Sequence, residues 1–156
     1  PIMYKTGHAN IKMFMKEIGV EFAGEMSGHI FLADRYLGFD DAIYVSCRFC
    51  EIVSQMPNPV STFLADQPKL FNTPELHTNC PDEKKFGLVA KVCEEFKKEG
   101  YDVNDIDGAR ITFPDGWGLI RASNTTPVIV TRYEAINETR MNEIKNLIEA
   151  KIHKYL

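Results

Sequence analysis

No apolar run in the chain approaches the roughly 18 residues of a membrane-spanning helix. No basic stretch followed by an apolar one opens it in the manner of a secretory leader. There is no excess of positive charge: 18 Lys and Arg against 22 Asp and Glu leave a net charge of −4. The phosphate backbone of nucleic acids selects basic surfaces, so a general nucleic-acid binder is not expected. The expectation is a cytoplasmic protein with neither a membrane nor a nucleic-acid partner. No internal repeat or low-complexity tract is visible. At 156 residues and 44% hydrophobic content, the chain has room for one domain or two small ones.

Cysteine is scarce, and its pattern argues against a metal knuckle. Cys47 and Cys50 form a C-x-x-C, but Cys80 and Cys93 are too far apart to supply a second close pair, and His77 stands alone. The stretch after "GFDD" has helical periodicity, with Ala42, Val45, Phe49, Ile52, Val53 and Met56 on one apolar face. The paired cysteines fall inside that helix, where a buried thiol behaves as a small hydrophobe. Core cysteines are expected, and no metal ligands.

Prolines 57, 59, 68 and 74 interrupt any long element, so residues 57–74 read as a linker or hinge. Downstream, residues 75–156 form a self-sufficient pattern. "ELHTNC" reads as a strand, and a helix runs from about Asp82 to Glu99, with Phe86, Val89, Ala90, Cys93 and Phe96 inward. "DGARITF", "WGLIRA" and "PVIVTRYEA" read as three further strands, the first two joined by a "PDG" turn. A last helix follows the N-cap Asn137 and presents Met141, Ile144, Ile148, Ile152 and Tyr155. The order β-α-β-β-β-α predicts an α+β domain with a four-stranded antiparallel sheet and two helices on one face.

Residues 1–56 offer a helix after "KTGHAN", a strand "VEFA", a strand from about Ile30 and the helix after Asp40. Two short strands and two helices make a thin core. The chain also begins at Pro1, and the expectation is the back half of a larger α/β domain whose opening strands lie upstream.

Three loops carry chemistry. "AGEMSGHIF" places Glu25, Ser27 and His29 between strands, with Gly24 and Gly28 letting backbone come close to a ligand. A carboxylate that accepts from two vicinal hydroxyls suits a sugar diol, while a plain β-turn with solvated side chains is the simpler alternative. "KTGH" brings Lys5 and His8 to a helix start, where capping by Thr6 is the simpler reading. "RASNTTP", residues 121–127, joins two β-branched runs without the glycine an ordinary hairpin turn carries. "NDIDG" fails the calcium-loop spacing, since Val103 and Pro114 would occupy the first and twelfth ligand positions.

Taken in order, "KTGHANIK", "GEMSGHIF", "GFDDAIY", "DGARITFPDGWGLIRASNTTP" and "RYEA" resemble the C-terminal part of the α-D-phosphohexomutase family. Met26 and "SNTTP" favour its phosphomannomutase/phosphoglucomutase branch over the phosphoglucosamine mutases, which usually carry "GEQSGH" and an "SGTEP" loop. The resemblance implies a carbohydrate-metabolism isomerase. Its first domain is a phosphoprotein, with a phosphoserine that gives and takes the phosphoryl group. Its second domain holds Mg²⁺, and hexose 1,6-bisphosphate is intermediate and activator.

The third domain recognises the sugar. The matching residues are His8 and the loop Glu25, Met26, Ser27, Gly28 and His29. The fourth, a TATA-binding-protein-like domain, clamps phosphate through residues matching Arg121, Ala122, Ser123, Asn124 and Thr125. On that resemblance Arg121 supplies a planar fork and the following residues add neutral donors. It is not a Walker loop, which needs its glycines and lysine.

Neither the phosphoserine loop nor the aspartate metal loop occurs in the sequence, so the expectation is a C-terminal fragment. It holds no catalytic nucleophile, is inactive by itself and depends on the upstream domains of its parent chain. Two alternatives stay open: a non-catalytic phospholigand-binding module, and a structural zinc or thiol protein.

Overall fold

The computed structural model describes residues 1–156. They form two compact units, Pro1–Gln67 and Pro68–Leu156, each taken by itself below.

In the first unit, helix α1 (His8–Ile18) is followed by strands β1 (Phe22–Gly24), β2 (Ile30–Leu32) and β3 (Phe39–Asp40), and by helix α2 (Ala42–Ser54). The strands make a three-stranded antiparallel sheet in the order β1-β2-β3. Its core is small: Ile11 and Met15 of α1 pack on Phe31, with Ala23 and Ala33 at the margin. Asp41 caps α2, its Oδ1 accepting the amides of Ile43 and Tyr44 at 2.9 and 3.0 Å.

No residue of α2 is buried. Cys47 and Cys50 are therefore exposed, and only Cys80 and Cys93 are the buried thiols that the sequence suggested for all four. The periodic face of α2 is real, but three short strands cannot cover it; Phe49 and Ile52 remain about half exposed. A helical apolar stripe records where a partner surface is needed, not that the surface is in the same chain.

The proline-rich stretch holds one 3₁₀ turn at Val60–Thr62. At its end β4 (Phe71–Asn72) already belongs to the second sheet.

The second unit continues with β5 (Leu76–Asn79), α3 (Asp82–Lys98), β6 (Asp102–Asn104), β7 (Ala109–Phe113), β8 (Gly116–Ala122), β9 (Val128–Ala135) and α4 (Glu138–His153). The expected four-stranded sheet is corrected to six strands, ordered β4-β9-β8-β7-β6 with β5 also on β9. Both additions have a physical reason. Strands β4 and β5 lie along one edge of β9, broken around Pro74; Thr73 bridges the break by exchanging bonds with Tyr133 (3.0 and 3.2 Å). Proline is tolerated at such an edge because no ladder amide is lost there. Strand β6 is three residues long, too short to announce itself by alternation.

One sheet face carries Ala109, Ile111, Phe113, Ile120, Ala122, Ile129, Tyr133 and Ala135, all buried beneath α3 and α4 in a single core. The helices contribute Leu88, Val89, Val92, Cys93 and Phe96 from α3 and Ile144, Ile148 and Ile152 from α4. The inward face of α3 is rotated from the expected one: Phe86 is 56% exposed, and Lys85 and Leu88 face in.

Candidate functional site

Glu25 to Gly28 form a tight turn between β1 and β2. Gly28 N–H donates to Glu25 O at 3.0 Å and Glu25 N–H to His29 O at 2.8 Å. Gly28 has φ 91°, which glycine adopts without strain, and a Cβ there would meet only open space. Its role is conformational. A Cβ built at Gly24 would lie an ordinary 3.7 Å from His29 O, so no protein atom crowds that position. Met26 (62% exposed), Ser27 and His29 project outward.

The turn is tied to the start of α1. Glu25 Oε1 accepts the amide of Gly7 at 2.9 Å. Gly7 itself is the N-cap and makes no side-chain cap, so the capping suggested for Thr6 is replaced by a carboxylate from the other loop. Such a carboxylate also suits the positive end of the helix dipole.

His8 and His29 meet at a residue that sequence reasoning passed over. His8 Nδ1 lies 2.5 Å from Asp40 Oδ1, and His29 Nδ1 lies 2.6 Å from Asp40 Oδ2. Burial acts to raise the Asp40 carboxyl, but the hydrogen bonds from His29 and His8 and the charge of His8 hold it below its ordinary value. With one carboxylate taking both Nδ1 atoms, each ring presents Nε2 to its surroundings. Asp40 lies in "GFDD", a segment whose sequence marks only the approach to a helix. A strand-end aspartate flanked by an N-cap aspartate gives no signal of its own.

In the second unit, Arg121 occupies β8 opposite Val130. Its neighbours Ile120 and Ala122 are buried under the helices, so Arg121 alternates to the helix-free face. Its Nη1 stands 3.7 Å from Asp107 Oδ2, with the two side chains 19% and 24% exposed. Gly108 makes this approach possible: φ is 85°, and a Cβ there would fall 2.3 Å from Ile120 O and 2.9 Å from Arg121 Cα. The buried side chain of Ala122 leaves only its backbone for a ligand.

Ser123 is turned inward. Its Oγ accepts the amides of Thr125 (3.3 Å) and Thr126 (3.1 Å) and lies 2.8 Å from Thr126 Oγ1. Ser123 thus shapes the loop, while Asn124, Thr125, Thr126 and Pro127 are exposed. Lysine 85, absent from the sequence-based list, reaches the same loop through Thr126 O at 2.9 Å. Within this unit a guanidinium, a carboxamide and a hydroxyl occur in one short segment, a donor set suited to an anion.

These residues do not fit Mg²⁺. No group of three or more His, Cys, Asp or Glu side chains is arranged to hold a metal ion. Asp40, the one carboxylate bound by two imidazoles, has both oxygens engaged. No helix is long and apolar enough to cross a membrane.

Two family models match the chain in succession. The first, phosphoglucomutase/phosphomannomutase alpha/beta/alpha domain III, matches residues 1–71; the second, the phosphoglucomutase/phosphomannomutase C-terminal domain, matches residues 75–151. A phosphomannomutase/phosphoglucomutase of Pseudomonas syringae pv. tomato is 42% identical, over 99% of this chain and 33% of its own length. A phosphoglucomutase of Neisseria gonorrhoeae is 43% identical over 97% of this chain and 33% of its own length. The crystal structure of a phosphoglucomutase/phosphomannomutase family protein from Burkholderia thailandensis superposes with a TM-score of 0.84 at 39% identity. It covers 99% of this chain and 32% of its own. The chain spans about a third of the length of the curated relatives it matches.

Proposed function

Because the chain belongs to the phosphoglucomutase/phosphomannomutase family, we propose that it supplies sugar recognition and the phosphate clamp of a hexose-phosphate mutase. The full protein would interconvert hexose 1-phosphate and hexose 6-phosphate. In the first step a phosphoserine P–O bond breaks as a new bond forms to the free sugar hydroxyl, whose proton ends on the released serine oxygen, which gives hexose 1,6-bisphosphate. After the bisphosphate turns over, its other phosphoryl group returns to the serine. The nucleophile and the Mg²⁺ that neutralises phosphoryl charge are assigned to the remainder of the parent, and the 156 residues alone carry out no turnover.

Each residue has a part that follows from its surroundings. Glu25 keeps Oε1 on the Gly7 amide and offers Oε2 to vicinal sugar hydroxyls, with Ser27 beside it. His8 and His29, held at Nδ1 by Asp40, direct Nε2 toward the ring. Arg121 gives a fork to the phosphate, while Asn124 and Thr125 add neutral donors. Positioning and charge neutralisation dominate phosphoryl transfer, so binding groups of this kind contribute to catalysis although the nucleophile is not among them.

The observation that carries the reading is the loop after β8. Arg121 stands at the strand's end on the helix-free face, followed by a turn that Ser123 holds closed from within. A mutase clamp must hold phosphate attached at either end of the sugar. An amide chemical-shift titration of the chain with glucose 1-phosphate, glucose 6-phosphate and glucose tests this. Both phosphosugars should move the signals of residues 121–126, and glucose should not. Response to one phosphosugar alone would favour the non-catalytic module.

A further inference from the structure

Lys85 lies in the first turns of α3 and is 3% exposed. It shares the inward face of the helix with Leu88, Val89, Val92, Cys93 and Phe96. Burying an ammonium is costly unless it is paired, so an apolar side chain would serve packing better at that position. Lys85 is paired twice. Its Nζ donates to Asp82 Oδ1 at 2.5 Å and to Thr126 O at 2.9 Å. The second bond crosses 41 residues of sequence to the loop after β8.

The loop is held at a second point, by the residue that follows β5: Cys80 N–H donates to Pro127 O at 2.9 Å. Thr126 O also accepts Val128 N–H at 2.8 Å, so this carbonyl is held by an amide and an ammonium together. From Thr126 the order runs on through its hydroxyl, 2.8 Å from Ser123 Oγ, and through the Thr125 and Thr126 amides that Ser123 accepts.

We propose that Lys85 is a positioning residue for the phosphate loop. By holding the Thr126 carbonyl against α3, it turns an oxygen that would repel an anion away from the ligand side. It also sets the Ser123–Thr126 turn so that Asn124 and Thr125 are presented outward. The proposal rests on the phosphate-clamp reading given above, and its test separates the two.

The test is an amide chemical-shift titration of the full 156-residue chain with glucose 1-phosphate, with thermal melting and amide hydrogen exchange on the same samples. The variants are Lys85→Met, Lys85→Arg and Arg121→Ala. Lys85→Met should bind about tenfold more weakly, the scale of one lost charged hydrogen bond, with faster exchange at Thr125 and Thr126. Lys85→Arg, which keeps charge and donors, should recover part of both. A merely structural lysine would lower the melting temperature and leave the affinity of the folded fraction unchanged, and that result would overturn the proposal. Lys85→Gln, which keeps a donor without the charge, carries the same comparison if the methionine variant does not fold. If Arg121→Ala binds like wild type, the clamp reading itself fails and this proposal with it. If Arg121→Ala loses affinity while folded Lys85 variants keep it, only the role of Lys85 is rejected.

Discussion

His29 and Asp40 face each other at 2.6 Å in the first unit, Nδ1 to Oδ2, while the other oxygen of the same carboxylate holds His8. A carboxylate at Nδ1 selects the tautomer that carries its proton there and leaves Nε2 as acceptor. We expect imidazole ¹⁵N spectra at pH 8 to show both rings as the Nδ1–H form. In Asp40→Asn that preference should be lost, because the carboxamide can donate to Nδ1 as readily as accept. Unchanged tautomers in the folded variant would remove Asp40 from the site.

Glu25 has two duties, and they can be separated. Glu25→Gln retains an acceptor for the Gly7 amide and loses the charge, so its stability should stay within about 0.5 kcal/mol of wild type. Its affinity for phosphosugar should fall about fivefold, a loss of about 1 kcal/mol. Glu25→Ala loses both functions and should also destabilise the first unit by about 1 kcal/mol. Denaturant melts beside ligand titrations of the two variants check this. Equal affinity in Glu25→Gln would return the carboxylate to a capping role alone.

Two glycines that look alike in the sequence should respond oppositely to alanine. At Gly108 a Cβ meets backbone 2.3 Å away and φ is 85°, so Gly108→Ala should cost at least about 2 kcal/mol and disturb Arg121. At Gly24 a Cβ would meet nothing nearer than 3.7 Å, and Gly24→Ala should cost less than about 1 kcal/mol. Chemical denaturation of the two variants reads the difference directly.

Glu95 ties α3 to the end of α4. It accepts from Lys154 and Tyr155 at Oε1 and from Lys151 at Oε2 (3.4 Å). The hydrogen bond from Lys154 and then that from Tyr155 bring its carboxyl down to about 2 from an ordinary 4.5, against the opposing effect of burial. A lowered carboxylate contributes stability above its unfolded value, and that contribution is lost as pH falls through the folded value. Glu95→Gln should therefore melt below wild type at pH 6, with the gap closing between pH 4.5 and about 2. A gap independent of pH would show that the ion pairs contribute nothing there.

Long, regular elements were legible in the sequence, and groups that act across distance were not. Strands β7, β8 and β9 alternate clearly, and Ile144, Ile148 and Ile152 fix the inward face of α4. The face of α3 was displaced because periodicity counts lysine as polar. Lys85 is inside because Asp82 and, far along the chain, Thr126 O satisfy it. Asp40 was hidden for a similar reason: its histidines lie 32 and 11 residues away. Strands β4 and β6 have two and three residues, too few for any pattern. The motifs identified the loops, but not that Ser123 would face inward to shape the turn.

If Arg121 holds phosphate, a titration of Arg121→Ala and Arg121→Lys with glucose 1-phosphate will show it. A charged hydrogen bond contributes about 1.5–3 kcal/mol, so the alanine variant should bind about 10- to 100-fold more weakly. Lysine keeps the charge without the bidentate fork and should recover only part of the loss. The competing role is visible in the structure, since Arg121 also stands 3.7 Å from Asp107. If that pairing is its whole purpose, Arg121→Ala will melt at a lower temperature yet bind glucose 1-phosphate as tightly as wild type, and the cradle assignment will be contradicted.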